Sequence, residues 1–460
     1  MKKLKILFYL STIIIFFFYF LTNNIIGKEN FKNIKSYFSD EQKYFVKKYF
    51  FPYKLIDELN EKNFNQNNII SKLDLIDIEI NFKKSLKKVL VNEKIEKLDE
   101  GLILKKYNLQ AGFYSGIWNE YPGSGFIEFH NDNMIVLSSR GVIIFSDRLE
   151  DKKKFFQIKN NINNFINYNQ FKKNKWFSVK DLLINENKIF VSYTKEIKKN
   201  CWNTSILYAE MNYEDLEFQE FYSPDECIHS INNIDNEFNA FQSGGRMVNY
   251  KDNIVLSLGD YRNRSLGQKI DSVNGKIISI NKNDFTLNTL SMGHRNPQGL
   301  FFDIDKNILI ESEHGPQGGD EINIIKLKEN LKSKIPNFGW PIASYGEHYG
   351  GKIKKNETKY KKYPLLKSHT KNGYIEPKKI FKSSVGISQV AKVTKNIYIV
   401  GALKSKSLYL FELDNLLNII NFTEIKVHER IRDIFFYKKN LYLFLEDTAS
   451  IGLINFEKFY

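Results

Sequence analysis

Met247-Val248-Asn249-Tyr250-Lys251-Asp252-Asn253-Ile254-Val255-Leu256-Ser257 is the stretch that decides the fold. A hydrophobic strand enters a polar turn holding Asn, and a second strand rich in Ile, Val and Leu leaves it. The same unit recurs at Asn133 (before Met134-Ile135-Val136-Leu137), Asn187 (before Lys188-Ile189-Phe190-Val191) and Asn307 (before Ile308-Leu309-Ile310). It recurs again at Asn396 (before Ile397-Tyr398-Ile399-Val400) and Asn440 (before Leu441-Tyr442-Leu443-Phe444). A third strand follows each time, at 142–145, 206–209, 276–280, 322–325, 408–413 and 452–454. Asn and Asp tolerate the turn conformations that hairpins need. Six units over about 350 residues give roughly 60 residues each, the size of a four-stranded propeller blade with its loops. A β-sandwich has no need of six equivalent copies, and a β-helix repeats at a much shorter period. The sequence therefore predicts an all-β, six-bladed β-propeller over 107–460. The longest interval, Asn307 to Asn396, marks a large insertion on one face, and function on a propeller lies in loops around the central channel.

Outward from the repeats, the 460-residue chain is 42% hydrophobic and 15% aromatic, which excludes global disorder. Nine Pro and 25 Gly exclude a collagenous chain, and two Cys exclude a disulfide scaffold or a Cys-rich zinc module. The net charge of +15 raises the question of an acidic partner. No Walker loop, zinc spacing or nucleic-acid module accompanies it, so no nucleic-acid partner is expected.

The N-terminus sets the expected compartment. Met1-Lys2-Lys3-Leu4-Lys5 precedes an apolar run over 6–21 that Ile25-Ile26 extends. No small-residue cleavage pattern follows, so residues 1–27 read as an uncleaved signal anchor, the alternative being secretion after cleavage. Either way the basic start stays in the cytoplasm, which predicts a periplasmic protein held on the inner membrane. Residues 28–106 read as a mostly helical membrane-proximal segment. Ser39-Asp40-Glu41-Gln42 fits a capping box there, although Leu73–Ile80 could be a strand. The first 106 residues hold 20 Lys against 13 acidic residues, which suits an anionic lipid surface. Export also predicts a disulfide between the only two cysteines, Cys201 and Cys227.

The chemistry is concentrated late in the chain. Gly293-His294-Arg295-Asn296-Pro297-Gln298-Gly299-Leu300 is followed by Glu313-His314-Gly315-Pro316-Gln317-Gly318-Gly319-Asp320-Glu321-Ile322-Asn323. Then come Asn337-Phe338-Gly339-Trp340-Pro341, Val400-Gly401-Ala402-Leu403-Lys404 and Glu429-Arg430-Ile431-Arg432-Asp433. Together and in this order, these motifs resemble the soluble pyrroloquinoline-quinone glucose/sorbosone and aldose sugar dehydrogenases. The resemblance is strong over 240–460, weak over 107–240 and absent before that. The fold it implies is also a six-bladed propeller.

The resemblance implies a quinoprotein that oxidises an aldose or related sugar or alcohol, with pyrroloquinoline quinone and Ca²⁺ as cofactors and an unidentified electron acceptor. Arg295, Asn296, Lys404, Arg430 and Arg432 match the positions that hold the quinone, and cationic forks suit its three carboxylates. Gly315 and Pro316 match the residues whose carbonyls hold calcium. Asp320 and Glu321 match an acidic pair associated with a second calcium in some members. The family base is a His shortly before Gly-Gly-Arg. Here Phe241-Gln242-Ser243-Gly244-Gly245-Arg246 puts Gln242 in that slot, while the partnering Asp is kept as Asp260. Asp260 is the nearest substitute base, ahead of His130 and His229. The family Gln-Gly-Gly-Leu segment is also missing, its place falling near Phe177–Leu183. The alternative implied is a catalytically altered propeller that binds a carbohydrate or another anion. A propeller hydrolase or lactonase with a channel metal is a third reading.

Read without the family, several of these residues have structural explanations. Arg430 and Arg432 read as a salt-bridged face, and Asp320-Glu321 as a turn cap or a partner for Lys326. Trp340 reads as packing, His294 and His314 as structural hydrogen-bonders, and the Lys-rich 352–362 as a solvated loop.

Overall fold

The computed structural model describes residues 39, 41–42, 88–90, 92–109, 124–147, 154–166, 179–327, 334–349 and 358–457. The signal anchor expected over 1–27 and most of the segment expected over 28–106 lie outside these. No helix among the described residues is long and apolar enough to cross a membrane. At the predicted capping box, Ser39 N donates to Gln42 Oε1 (3.0 Å) and Gln42 N to Ser39 Oγ (3.3 Å), the reciprocal pair that such a box makes.

Six sheets follow one another along the chain, antiparallel but for the short strand Asp215–Leu216, which joins the first in parallel. The first has strands at Gly125–His130, Asn133–Ser138, Ile143–Asp147 and Lys154–Asn160, with Lys88–Leu90 added at its edge. The second has Val179–Asn185, Lys188–Lys198, Cys201–Glu210 and Gln219–Tyr222, and the third Gly244–Tyr250, Asn253–Leu258, Lys276–Asn281 and Leu287–Met292. The fourth has Pro297–Asp303, Ile308–Glu313, Asp320–Lys326 and Lys379–Phe381, and the fifth Ile387–Lys392, Ile397–Ala402, Ser407–Leu413 and Ile419–Lys426. The sixth joins Ile431–Tyr437, Asn440–Leu445 and Ser450–Asn455 to Ile103–Asn108, which in turn pairs with Asn92–Lys97. The first strand of every sheet packs against the first strands on either side, closing a ring around a channel. This is the six-bladed propeller that the repeats predict.

The repeats fall where hairpin physics puts them. Each of the six Asn residues begins the second strand of a sheet or immediately precedes it. The turn residues beside them take positive φ, as at Asn131 (48°), Asp132 (65°), Lys251 (52°) and Asn307 (49°). The second strands read as unbroken apolar runs because both of their faces are buried. Ile254 and Leu256 pack toward the second sheet, and Val255 between them packs toward the fourth. Ile135 and Leu137 likewise face the second sheet, while Met134 and Val136 face the sixth.

One boundary differs from the expectation. Residues 92–97 and 103–108 are not part of a helical segment but strands of the sixth sheet, so the propeller begins before 107. Ile103-Leu104-Lys105-Lys106-Tyr107-Asn108 looks too charged for an inner-sheet strand. It fits because Lys106 is buried between Glu96 (2.9 Å) and Glu429 (2.5 Å), with Leu104 and Tyr107 in the apolar layers. This strand hydrogen-bonds to the last one of the chain and so fastens the ring.

The structure joins Cys201, at the start of a second-sheet strand, to Cys227, with their Cα atoms 5.3 Å apart. The described parts of the insertion between 326 and 379, residues 334–349 and 358–378, fold back against the third and fourth sheets. Phe338 N donates to Met292 O (2.8 Å) and Trp340 N to Gly293 O (3.0 Å). Gly293 allows this approach, since a Cβ there would lie 2.3 Å from Asn337 Oδ1.

Candidate active site

The six first strands ring the channel, and several of the predicted residues lie just before their starts, most of the others in the loops after the second strands. Gln242 precedes the strand at Gly244, Arg295 and Asn296 precede Pro297, and Arg430 precedes Ile431. Lys404 lies against Gly386, just before Ile387. Residues far apart in sequence meet here because every blade presents its strand entry to the axis.

Arg295 is buried and organises one wall. Its backbone N donates to Glu313 Oε2 (2.6 Å), Nη1 to the His314 carbonyl (2.8 Å) and Nη2 to Tyr349 Oη (3.1 Å). Its guanidinium lies over Trp340 (5.4 Å to the ring centroid). Gln242 is buried between charges that fix its amide. Its nitrogen donates to Asp260 Oδ1 (3.1 Å), and its oxygen accepts from Arg262 Nε (3.1 Å) and Arg295 Nη2 (2.9 Å). Guanidiniums can only donate, so the oxygen must face them. Asp260 also accepts from Arg262 N (2.8 Å) and from Trp340 Nε1 (2.8 Å). Burial pushes its carboxyl above the ordinary value, against the opposing pull of Arg295 and these donors. Trp340 is therefore more than packing: it holds the acid. His130 closes the far end of its strand and bonds Tyr213, and His229 lies on an outer strand of the second sheet, so neither is near this wall.

A second wall comes from the sixth sheet. Arg430 Nε and Arg432 Nε donate to the two oxygens of the buried Glu446 (3.1 and 2.6 Å). Arg432 Nη1 reaches Gln298 Oε1 (3.2 Å), and Gln298 Nε2 donates to Asn296 Oδ1 (3.0 Å), linking the walls. One carboxylate thus offsets part of the predicted cationic lining. Lys404 is exposed, and among the described residues its amine has no ion-pair partner. Burial raises the Glu446 carboxyl, but Arg432 and Arg430 outweigh it and hold the group below its usual range. A depressed carboxyl stabilises the fold above its unfolded pKa and loses that contribution as pH falls through the folded value. Glu446→Gln is expected to flatten this part of the acid limb in melting curves taken from pH 7 to 3.

The loop from Glu313 to Glu321 forms the third side. Asp320 Oδ1 accepts from Gly315 N (3.0 Å), and Oδ2 from Val385 N (2.9 Å) and Gly386 N (2.7 Å). Its carboxylate is spent on shaping the loop that presents Gly315 and Pro316. Glu321 instead joins a buried cluster with Glu311, Glu313, His294 and Asn323. The Asn323 amide nitrogen donates to Glu311 Oε2 (3.0 Å), Glu313 Oε1 (3.3 Å) and Glu321 Oε2 (3.4 Å). Burial and the neighbouring Glu313 push the carboxyls of Glu311 and Glu321 well above the ordinary value. Among the described residues, Glu311 Oε1, Asn323 Oδ1 and His369 Nε2 are buried without a hydrogen-bond partner. Hard oxygens with unspent lone pairs suit a divalent cation.

Sequence reasoning passes over Glu313, Tyr349, Arg262, Gln298 and Glu446. Only Gln298 and Glu313 lie inside a motif quoted above for its density of polar groups. The others signal nothing locally, since their partners come from distant loops.

Residues 180–454 match the family model described as Glucose / Sorbosone dehydrogenase. Aldose sugar dehydrogenase YliI of Escherichia coli is 30% identical over 192 residues, covering 37% of this chain and 47% of that protein. Quinoprotein glucose dehydrogenase B of Acinetobacter calcoaceticus is 44% identical over 61 residues, 13% of this chain and 11% of that protein. The chain thus spans about half the length of the first of these relatives (47%) and far less of the second (11%). Among solved structures, the apo form of the soluble aldose sugar dehydrogenase from Escherichia coli superposes with a TM-score of 0.55 at 19% identity, covering 79% of this chain and 99% of that one. The PQQ-bound aldose sugar dehydrogenase of Streptomyces coelicolor superposes at 0.53 with 16% identity, covering 81% and 99%. At these identities the superpositions are statements about fold.

Proposed function

Because the chain belongs to the glucose/sorbosone dehydrogenase family, we propose that it is a quinoprotein oxidoreductase of aldoses or related sugars and alcohols. One observation carries the reading. Arg295, Asn296, Arg432 and Lys404, drawn from three separate motifs, stand around one channel mouth, and Gln298 bridges Asn296 and Arg432 across it. A cationic rim with fork-shaped donors fits a small polycarboxylate such as pyrroloquinoline quinone. When bound, the quinone supplies the two-electron acceptor that no side chain can provide. The carbonyls of Gly315 and Pro316, on the loop that Asp320 holds, and the Glu313–Glu321 cluster are the groups that would hold calcium.

The chain's own residues would orient and seal. Arg295 and Arg432 are already fixed by neighbours, so little side-chain freedom is lost when an anion arrives. Trp340 and Tyr349 form an apolar and hydroxyl wall against which a sugar ring can lie. Gln242 cannot take a proton, which leaves Asp260 as the titratable group behind it.

A second reading rests on that same slot. Gln242 is engaged by three neighbours, and Asp260 is fully buried behind donors. A propeller that binds the quinone or a sugar without turnover fits this geometry. The deciding experiment gives the purified chain pyrroloquinoline quinone and Ca²⁺ and follows dye reduction across an aldose panel. Reduction above the quinone-free control supports the dehydrogenase. Quinone binding with no reduction favours the binding module, and no quinone binding ends the dehydrogenase reading.

Lys404 allows a clean check of the rim. Among the described residues its side chain has no ion pair to lose, so Lys404→Met is expected to weaken quinone binding roughly 10-fold with an unchanged melting temperature. Arg432→Leu, which strips a partner from Glu446, is expected to lower both.

We place the protein outside the cytoplasm, in the periplasm. The Cys201–Cys227 bond supports an oxidising compartment. In rapidly acid-quenched cells, both cysteines are expected to resist alkylation until a reductant is added.

A further inference from the structure

Tyr261 and Arg262, the two residues after Asp260, both take left-handed backbone, with φ of 50° and 69°. Such backbone is uncommon for residues with a Cβ, and it persists where neighbours fix it. Tyr261 is held at both ends. Its N donates to the Gln242 carbonyl (2.9 Å), and its buried hydroxyl lies 2.8 Å from Thr204 Oγ1. Arg262 N is fixed by Asp260 Oδ1 (2.8 Å). The turn sets the Arg262 side chain beside the base slot. Its Nε donates to the Gln242 amide oxygen (3.1 Å), and its guanidinium lies over the Tyr349 ring (5.0 Å to the centroid). Arg295 lies over the same ring (5.5 Å).

The protein answers this charge only in part. Among the described residues, the carboxylate within ion-pair reach is Glu237, whose Oε2 stands 4.0 Å from Arg262 Nη1, and the same oxygen accepts from Arg264 Nη2 at 2.7 Å. Asp260 is close by, but its oxygens are taken by the Gln242 amide, the Arg262 backbone and Trp340. Neither Arg262 Nη atom makes a hydrogen bond among the described residues, and the side chain keeps 29% of its surface open. Burial and the adjacent Arg295 lower its pKa from the ordinary arginine value, with Arg264 adding to them, against the pull of Tyr349 and Asp260.

Resting on the proposed sugar oxidation, we propose that Arg262 fits this site to an aldose that carries a carboxylate, a uronate, in preference to a neutral sugar. A carboxylate accepts two parallel hydrogen bonds from one edge of a guanidinium, and Arg262 has its Nη edge to offer. A bound anion would also relieve the repulsion between Arg262, Arg295 and Arg264. The placement favours the sugar over the quinone as the source of that carboxylate. Arg262 touches Gln242 and Tyr349, the base slot and the wall against which the sugar lies. Asn296 and Arg432, bridged by Gln298, belong to the quinone side.

The test is calorimetry on the full chain with glucuronate and with glucose, which differ only at C6, and in a separate arm with pyrroloquinoline quinone and Ca²⁺. Wild type is expected to bind glucuronate roughly 10- to 100-fold more tightly than glucose, with the preference shrinking as salt rises. Arg262→Gln is expected to remove the preference. Arg262→Lys, which keeps the charge but not the fork, is expected to retain part of it, and it serves if the Gln variant fails to fold. Glucuronate bound no more tightly than glucose by wild type, or a preference that survives in Arg262→Gln, would overturn the proposal. So would a Gln variant whose quinone affinity falls while its sugar preference stands, since the guanidinium would then serve the quinone. The sugar titrations need no quinone, so the two readings fail separately. A neutral aldose oxidised as well as the uronate would overturn the specificity and leave the dehydrogenase standing, whereas absent quinone binding would end the dehydrogenase reading.

Discussion

Gln242→His is expected to raise sugar-dependent dye reduction by about 10²- to 10⁴-fold, the usual worth of a positioned general base. The slot is already shaped for it. The Gln242 nitrogen points at Asp260 Oδ1 from 3.1 Å, which is where an imidazole N–H would donate. Such a bond fixes the tautomer and leaves the other ring nitrogen free to accept a proton. Asp260 is held from behind by Trp340 Nε1 and Arg262 N, so it is oriented before the imidazole arrives. Burial raises its carboxyl, and an imidazolium beside it would pull it back down and be stabilised in turn. The cost is the loss of an acceptor for Arg262 and Arg295, which the amide oxygen now supplies. Quinone affinity should therefore shift only slightly while the rate climbs. The measurement is kcat and KM for the best aldose of the panel, side by side with quinone binding. An equal rate in wild type and variant would show that another group already abstracts the proton, and Asp260→Asn in the wild-type background would then identify or exclude it.

The repeats were legible because hairpin turns and doubly buried strands leave a local signature. Asn253 and the run Ile254-Val255-Leu256 carry both, and the structure places them in that role. The sixth blade's closing strand was not legible. Leu104 and Tyr107 lie on opposite faces and Lys106 takes a buried place on the face of Leu104, so the apolar pattern does not alternate, and the partners that neutralise Lys106 include Glu429, at the other end of the chain. The site divides in the same way. Arg295, Asn296 and Arg432 stand in motifs dense enough to notice. Glu446 and Tyr349 matter only through partners that folding supplies, and Asp320 looks like a metal ligand until its oxygens are seen to accept three backbone N–H groups. Residues 28–106 read as a mostly helical segment, yet 92–97 and 103–108 within it are strands of the sixth sheet.

Arg246 carries the largest expected effect on stability. Its Nη1 donates to Asp181 Oδ1 in the second sheet and to Asp433 Oδ1 in the sixth, at 2.7 Å each, while its other nitrogens hold the backbone of Gln298 and Arg432. The second carboxylate oxygens are also placed, since Asp181 Oδ2 accepts from Met247 N and Asp433 Oδ2 from Ile127 N, both at 2.7 Å. One guanidinium therefore bolts four sheets together beneath the site. Removing one partner of a buried ion pair is far costlier than the pair is worth, so Arg246→Met is expected to lose about 3–5 kcal/mol. The sign of its pH dependence follows. Burial already raises both aspartates, Arg246 opposes that, and without it their folded pKa values rise further. A raised carboxyl costs stability above its unfolded pKa of about 3.9 and costs nothing once it is protonated in both states. The gap between wild-type and Arg246→Met melting temperatures should be widest at pH 7.5 and narrow toward pH 4. Adding Asp181→Asn and Asp433→Asn should recover part of the loss at pH 7.5, because neutral amides no longer need the missing charge. A gap that stays constant with pH would assign the loss to packing instead. Because Arg246 also grips the Arg432 and Gln298 backbones, a folded Arg246→Met protein should bind quinone more weakly even where its stability is restored.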